Sequence, residues 1–388
     1  MARHTSALNK FQLMNQLMNE RCKATTFASH GYPFDDHGPV YVGEAHLADR
    51  ESISLKYAFY ILADVADKFV DQYPMIQKLR KHDSEAFRQK LRTGLLELLR
   101  KVRTWIYANM RENWKIERLS VRVPAQWDYE FRRPIRALLG EVFEWNEMKA
   151  DDIISFITGS DSLAHLLNHN YQTGEKPRQL WLFIHFDGHS LNGSLFTVDK
   201  RPSGRFLRLQ EGVGKPAYES VGAGGGSEHL FHHFLAAFQA KYLDPPAGCE
   251  GPARPMTPYI SEQLRQQFTN SAVTDLWGPL LYAYEEYRST FRVRLVETGE
   301  VIRCPFDVDE ISQIWNDAHK HAFELVEKLL EDLKKWTTVV VHGTIHEPVI
   351  CIAGGSAKNM PFRRKISDMI RKAELPMAVF PDDMFYLP

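Results

Sequence analysis

Cysteine is scarce in this chain, with only Cys22, Cys249, Cys304 and Cys351, and no two of them form a CxxC pair. That spacing argues against a disulfide framework and predicts a reduced intracellular protein with unpaired thiols. No run of about 18 apolar residues occurs, so no membrane-spanning helix is expected. The opening segment MARHTSALNKFQLMNQLMNERCK lacks a continuous apolar core, and a secretory signal is not expected there. A charge excess is missing as well: 48 Lys and Arg stand against 49 Asp and Glu, for a formal net charge of -1. Without a long basic stripe, neither a nucleic acid nor a membrane surface is an expected partner, and the cytoplasm is the expected setting. Two enzyme signatures are also absent. There is no HExxH, and Ser190 sits beside His185, Asp187 and His189 without the GxSxG elbow of a serine hydrolase.

What is present suits a layered α/β protein of two lobes, for which 388 residues supply ample core. A helical pattern is expected from Ser54 to Phe69. A longer one runs from Ser84 to about Met110, where Phe87, Leu91, Leu95, Leu98, Val102, Trp105 and Ile106 recur at helical spacing. Leu119–Val123 alternates as a strand ended by Pro124, and Arg132–Glu144 is again helical. Strands are expected at 180–186 and 194–198, and a helix after Gly226 reaching about Lys241. Asp307 and Glu310 have the spacing of a capping box before a long helix, and Val349–Ala353 is a short apolar strand. The Pro- and Gly-rich stretch 244–258 reads as an exposed insertion. Histidine is plentiful, and His229 with His232 has spacing usable for a metal, but no neighbouring acid completes a site. His185 and Asp187 are not expected to make a neat dyad across their turn.

Three glycine-bearing turns carry the functional signal. The first is WLFIHFDGHSLNGSLF, 181–196, a strand, tight turn and strand. The second, AGGGSEH, places Gly224, Gly225 and Gly226 before a helix that Ser227 is expected to cap. The third, in CIAGGSAKNMPFRRKI, runs an apolar strand into Gly354, Gly355 and Ser356, with Lys358 and Arg363 behind. Glycine permits close backbone approach, and a helix N-terminus favours negative charge, so turns of this kind suit polyphosphate.

These residues resemble the actin/Hsp70 ATPase superfamily, and more closely the divergent Hsp70-like proteins common in fungi, over about 38–373. RVPAQWDYEFRRPIRAL, 122–138, is similar to the family's VPAYFNDAQRQATKDA. Residues 183–195 resemble the phosphate hairpin DLGGGTFDVSI, and 222–234 the later G-G-x-D/E element. YEEYRSTF, 284–291, resembles the helix whose Glu and basic residue reach adenosine, and IAGGSAKNMP, 352–361, resembles LVGGSTRIP. The resemblance implies a two-lobed, ribonuclease H-like fold with an N-terminal arm at 1–37, a partial first lobe at 38–180, a second lobe at 181–373 and a tail at 374–388. It implies ATP or ADP as ligand, held by Lys56, Gly188, Ser190, Gly225, Gly226, Ser227, Glu285, Arg288, Gly354, Gly355 and Ser356. Mg²⁺ would have Asp187 as its candidate ligand.

The departures from the pattern bear on mechanism. His185 stands at the family's first hairpin acid, Asn192 at its second, and Gly159 at the glutamate of its EPTAAA-like segment. Asp187, Gly188 and His189 stand at the three hairpin glycines, and the first phosphate-loop hairpin is missing or highly diverged. Losing one organising group commonly costs on the order of 10²–10³ in rate. The expectation is therefore a degenerate nucleotide-binding module, a pseudoATPase or regulatory scaffold, and efficient turnover is not expected. The alternatives are a weak Mg-dependent ATPase using other acids and a nucleotide-independent interaction scaffold. A protein partner is expected, and a dedicated Hsp70 peptide-binding domain is not.

Overall fold

The computed structural model describes residues 30–31, 33–34, 53–70, 72–111, 114–170, 180–198, 206–208, 220–244, 254–269, 288–295, 298–338 and 348–380. The expected phosphate-loop replacement and most of the N-terminal arm lie outside the described residues, as does 245–253 of the Pro-rich stretch. Two large hydrophobic cores and one smaller one organise the rest.

The first core gathers side chains from Ile53 to Ile154. Strand β1 (His30–Gly31) pairs antiparallel with β2 (Ile53–Ser54), which leads through a single tight turn, Leu55–Tyr57, into helix α1 (Ala58–Leu62). The continuous helix expected over 54–69 is interrupted here. Asp64 takes a left-handed φ of 57°, which ends the helix and tilts the chain away. Helices α2 (Pro74–Lys81) and α3 (Glu85–Asn109) follow, the latter capped by the Ser84 hydroxyl accepting from the Phe87 amide at 3.3 Å. Phe87, Leu91 and Leu95 form its buried stripe, while Leu98, Val102, Trp105 and Ile106 are only half-buried as the helix runs outward. Strand β3 (Leu119–Arg122), helices α4 (Tyr129–Phe143) and α5 (Glu147–Ile153), and strand β4 (Ile154–Ile157) complete this part. β3 and β4 pair in parallel.

Helix α6 (Gly159–Asn170) leads on to the central sheet. Strands β5 (Leu180–Phe186) and β6 (Ser190–Val198) pair antiparallel, so the second strand starts earlier than its sequence pattern suggests. β6 also pairs with β7 (Phe206–Arg208) and with β8 (Val221–Gly224). Helix α7 (Ser227–Phe238), helix α8 (Pro258–Thr269), the antiparallel ribbon β9 (Arg288–Arg294) and β10 (Val301–Asp307), and helix α9 (Val308–Thr338) come next. Strand β11 (Val349–Ala353) then lies parallel to β5, and helix α10 (Met360–Lys372) follows it.

The two-residue alternation of β5 divides it between layers. Leu182, Ile184 and Phe186 face the second core, shared with α7, α9 and α10, whereas Phe183 faces the smaller core with Leu163 and Leu167 of α6. Each such side chain removed from water is worth roughly 1.5–3 kcal/mol. The mixed α/β expectation thus holds in three layers. The capping box forms as read: the Glu310 amide donates to Asp307 Oδ1 and the Asp307 amide to Glu310 Oε2, both at 2.9 Å. Among the described residues, no helix is long and apolar enough to cross a membrane.

Candidate functional site

The three glycine-bearing turns meet at one end of the central sheet, where β5, β8 and β11 finish. Ser356 ties them together. Its hydroxyl donates to the Asp187 carbonyl at 2.8 Å and accepts from the Ser227 amide at 3.1 Å. Gly226 (φ 102°) and Gly354 (φ 112°) occupy backbone conformations that L side chains rarely adopt. The close approach they allow is to this chain itself. A Cβ at Gly226 would overlap Asp187 and Gly188, and one at Gly354 would overlap the backbone of Phe186. Gly225 is buried against Ala322 and Phe186. Gly355 differs: it is exposed, and a side chain there would meet nothing within 4 Å.

The N-terminus of α7, the element best suited to a phosphate, already has an acceptor. The Gly188 carbonyl accepts from the Glu228 amide at 2.9 Å and the His229 amide at 3.4 Å. Ser227 therefore does not cap this helix through its hydroxyl, as expected from sequence; Gly226 is the N-cap and a carbonyl from the hairpin supplies the oxygen. Ser190 is buried at the start of β6, its carbonyl closing the hairpin by accepting from the Asp187 amide at 2.9 Å.

His189, which the sequence placed only at a hairpin-glycine position, plugs the hairpin into the first core. Its ring stacks on Tyr73 at 5.0 Å, meets Tyr57 edge-on at 4.8 Å, and brings Nε2 within 3.0 Å of the Tyr60 hydroxyl. Gln126 donates to both the Tyr60 and Tyr73 hydroxyls, at 3.1 and 2.5 Å. His232 lies 3.3 Å from the Tyr57 hydroxyl, and His229 packs edge-on against Tyr73. Burial pushes the His189 and His229 rings well below the ordinary histidine value, with the Lys56 charge adding to it for His189 and His233 for His229. Burial likewise raises Glu228, opposed by Lys56, Arg265 and a bond to Ser54. Lys56 is thus brought to the junction, where its charge faces Glu228 on α7. The signal available in the sequence was the three-residue spacing of Tyr57 and Tyr60, which puts two hydroxyls on one helical face.

The positions that the resemblance aligns with the family's acids also come together. His185 lies across Gly159, where any Cβ would overlap its imidazole. His185 and Asp187 do share a face, contrary to expectation, because residues two apart on an extended chain point the same way: Nδ1 and Oδ2 are 3.6 Å apart. The Asp187 carboxylate also takes Arg122 Nη2 at 3.0 Å. Asn192 has a structural task, its Oδ1 accepting from the Ala125 amide at 2.6 Å.

This arrangement does not fit Mg²⁺ at Asp187. A guanidinium and an imidazole are its neighbours, and among the described residues no group of three or more His, Cys, Asp or Glu side chains is placed to hold a metal. His229 and His232 find aromatic and hydroxyl partners instead. The backbone at Gly355 is open to its surroundings, whereas the hairpin side is filled by Gly188 and His189. Glu285 lies outside the described residues, and Arg288 opens β9 where a helix was expected. The alternation of buried Phe291 and Val293 with exposed Thr290, Arg292 and Arg294 is the two-residue period of a half-buried strand, and it prevails over the resemblance.

No protein-family profile matches the chain, and no curated protein does. Among solved structures, the crystal structure of MreB 5 of Spiroplasma citri bound to AMPPNP is similar at 14% identity, with a TM-score of 0.44, over 74% of this chain and 71% of that one. A likeness of that degree carries no argument about fold or function.

Proposed function

We propose that this chain is a degenerate nucleotide-binding module of the actin/Hsp70 kind, working as a pseudoATPase or regulatory scaffold. The observation that carries this reading is the self-filled phosphate side. The helix N-terminus is given to the Gly188 carbonyl, and the hairpin is pinned by His189 among three tyrosines. Hydrolysis by this superfamily design needs acids arranged around a metal and a water. Here one such position is Gly159, a second is the imidazole of His185 lying over it, and the nearby carboxylate, Asp187, is paired with Arg122. The ligand this site would keep is the adenosine portion of ATP or ADP, laid against Gly355.

The test is calorimetric titration of the folded chain with ATP and ADP, with and without Mg²⁺, beside Gly355→Val. The open space at Gly355 makes that substitution compatible with the fold, whereas Gly354→Val would force the Phe186 backbone aside. The expected outcome is saturable binding with little dependence on Mg²⁺, abolished in Gly355→Val, and no turnover in either protein. Absence of binding by the folded parent would leave a nucleotide-independent scaffold. Mg-dependent turnover would refute the pseudoATPase assignment.

A further inference from the structure

The ribbon of β9 and β10 carries an arrangement that folding alone does not favour. Arg292 and Arg303 are direct antiparallel partners, and Arg294 lies two residues along the same face. All three are exposed, together with Thr290 and Val301, while Phe291, Val293, Cys304 and Phe306 line the buried face. Like charges directly opposite one another destabilise a strand pair. Among the described residues none of the three makes an ion pair, and Asp307, at the far end, is engaged in its helix cap. The β9 edge of the ribbon is covered, and the β10 edge is engaged at Pro305. Gln263 and Gln267 of α8 hydrogen-bond the backbone of Arg294 and Arg292 along β9, and the Lys241 ammonium and Tyr242 hydroxyl take the Pro305 carbonyl on β10. A partner on this face would be met through the arginine side chains.

We propose that this arginine face docks an acidic, extended segment of a partner protein. The guanidinium fork matches a carboxylate with two parallel hydrogen bonds. An extended segment puts side chains of residues i and i+2 about 7 Å apart on one face, the same spacing as Arg292 and Arg294. Arg303 stands about 5 Å across the ribbon and gives a third contact, with Val301 beside it for an apolar side chain. Nucleic acid fits less well. Its affinity scales with the number of phosphates neutralised, and a three-arginine cluster on a chain of net charge -1 offers a short track. The inference is independent of nucleotide binding in the cleft.

The experiment titrates the full chain into a fluorescein-labelled peptide of alternating Glu and Val, with an alternating Lys and Val peptide and a single-stranded DNA oligonucleotide as comparisons. The acidic peptide is expected to bind saturably at low salt and to weaken as salt rises. Arg292→Gln/Arg303→Gln is expected to weaken it by about tenfold or more, while its melting temperature stays level or rises as repulsion is relieved. Arg303→Lys, which keeps the charge but loses the fork, should fall between. Absence of saturable acidic-peptide binding would overturn the proposal. So would tighter binding of the DNA, or affinity unchanged in the double variant.

Discussion

At the scale of single residues, the buried histidines set the response to acid. His319 lies among Phe186, Trp315, Phe323 and Phe362, with Nδ1 2.8 Å from the Trp315 carbonyl. Burial pulls its pKa down from 6.5 to about 4, partly offset by that carbonyl. His189 and His229 are depressed in the same direction. Because the unfolded chain then binds more protons, stability is full above about pH 6.5 and is lost as pH falls toward about 4. Urea melts at intervals across that window should show the midpoint dropping, and His319→Phe should make the decline shallower while leaving neutral-pH folding intact. A midpoint that holds steady through the window would contradict the burial argument. None of this was legible beforehand. A histidine's spacing says which helical face it joins, but its ionisation depends on which distant rings enclose it.

Elements were more readable, since periodicity and capping are local. Helix α3, the capping box of α9 and the strand entering Gly354 all follow from patterns within a few residues. The exceptions mark the limits. The helix expected at 54–69 broke at Asp64, whose left-handed backbone no apolar pattern announces. Arg288 was drawn into a strand by cross-strand burial of Phe291 and Val293. The two glutamines of α8 were also invisible: Gln263 and Gln267, one turn apart, imitate a neighbouring strand by donating to and accepting from β9. They cover an edge that would otherwise recruit another chain. Gln263→Ala/Gln267→Ala is expected to cost about 1 kcal/mol per lost bond and to raise self-association in light scattering. An equally stable, monodisperse double variant would show the edge needs no such cover.

For the molecule as a whole, the seam between the two large cores is the unusual feature. Tyrosine hydroxyls, histidine rings, the Asn192–Ala125 bond and the Arg122–Asp187 pair bridge it, where a continuous apolar core would give no such directionality. Tyr60→Phe leaves His189 Nε2 buried without its hydroxyl partner, a loss of about 1–3 kcal/mol. Hydrogen exchange should quicken together around Tyr57–Tyr60 and at the start of α7, with central strand β5 unchanged. Uniform acceleration including β5 would mean that the seam is no separate unit. Sequence motifs located the three turns that meet beside this seam. They did not reveal that the turns close on one another, because contacts across such long separations leave no periodic trace.

The imidazole of His185 lying over Gly159 carries a consequence for how this lineage can change. Any side chain at 159 collides with that ring, so an acid is not accommodated at 159 while the histidine remains. Shrinking His185 alone would open a hole beneath the sheet before any new group filled it. The two positions are therefore expected to vary as a couple, with neither single step favoured, so that a carboxylate at 159 needs two coordinated changes.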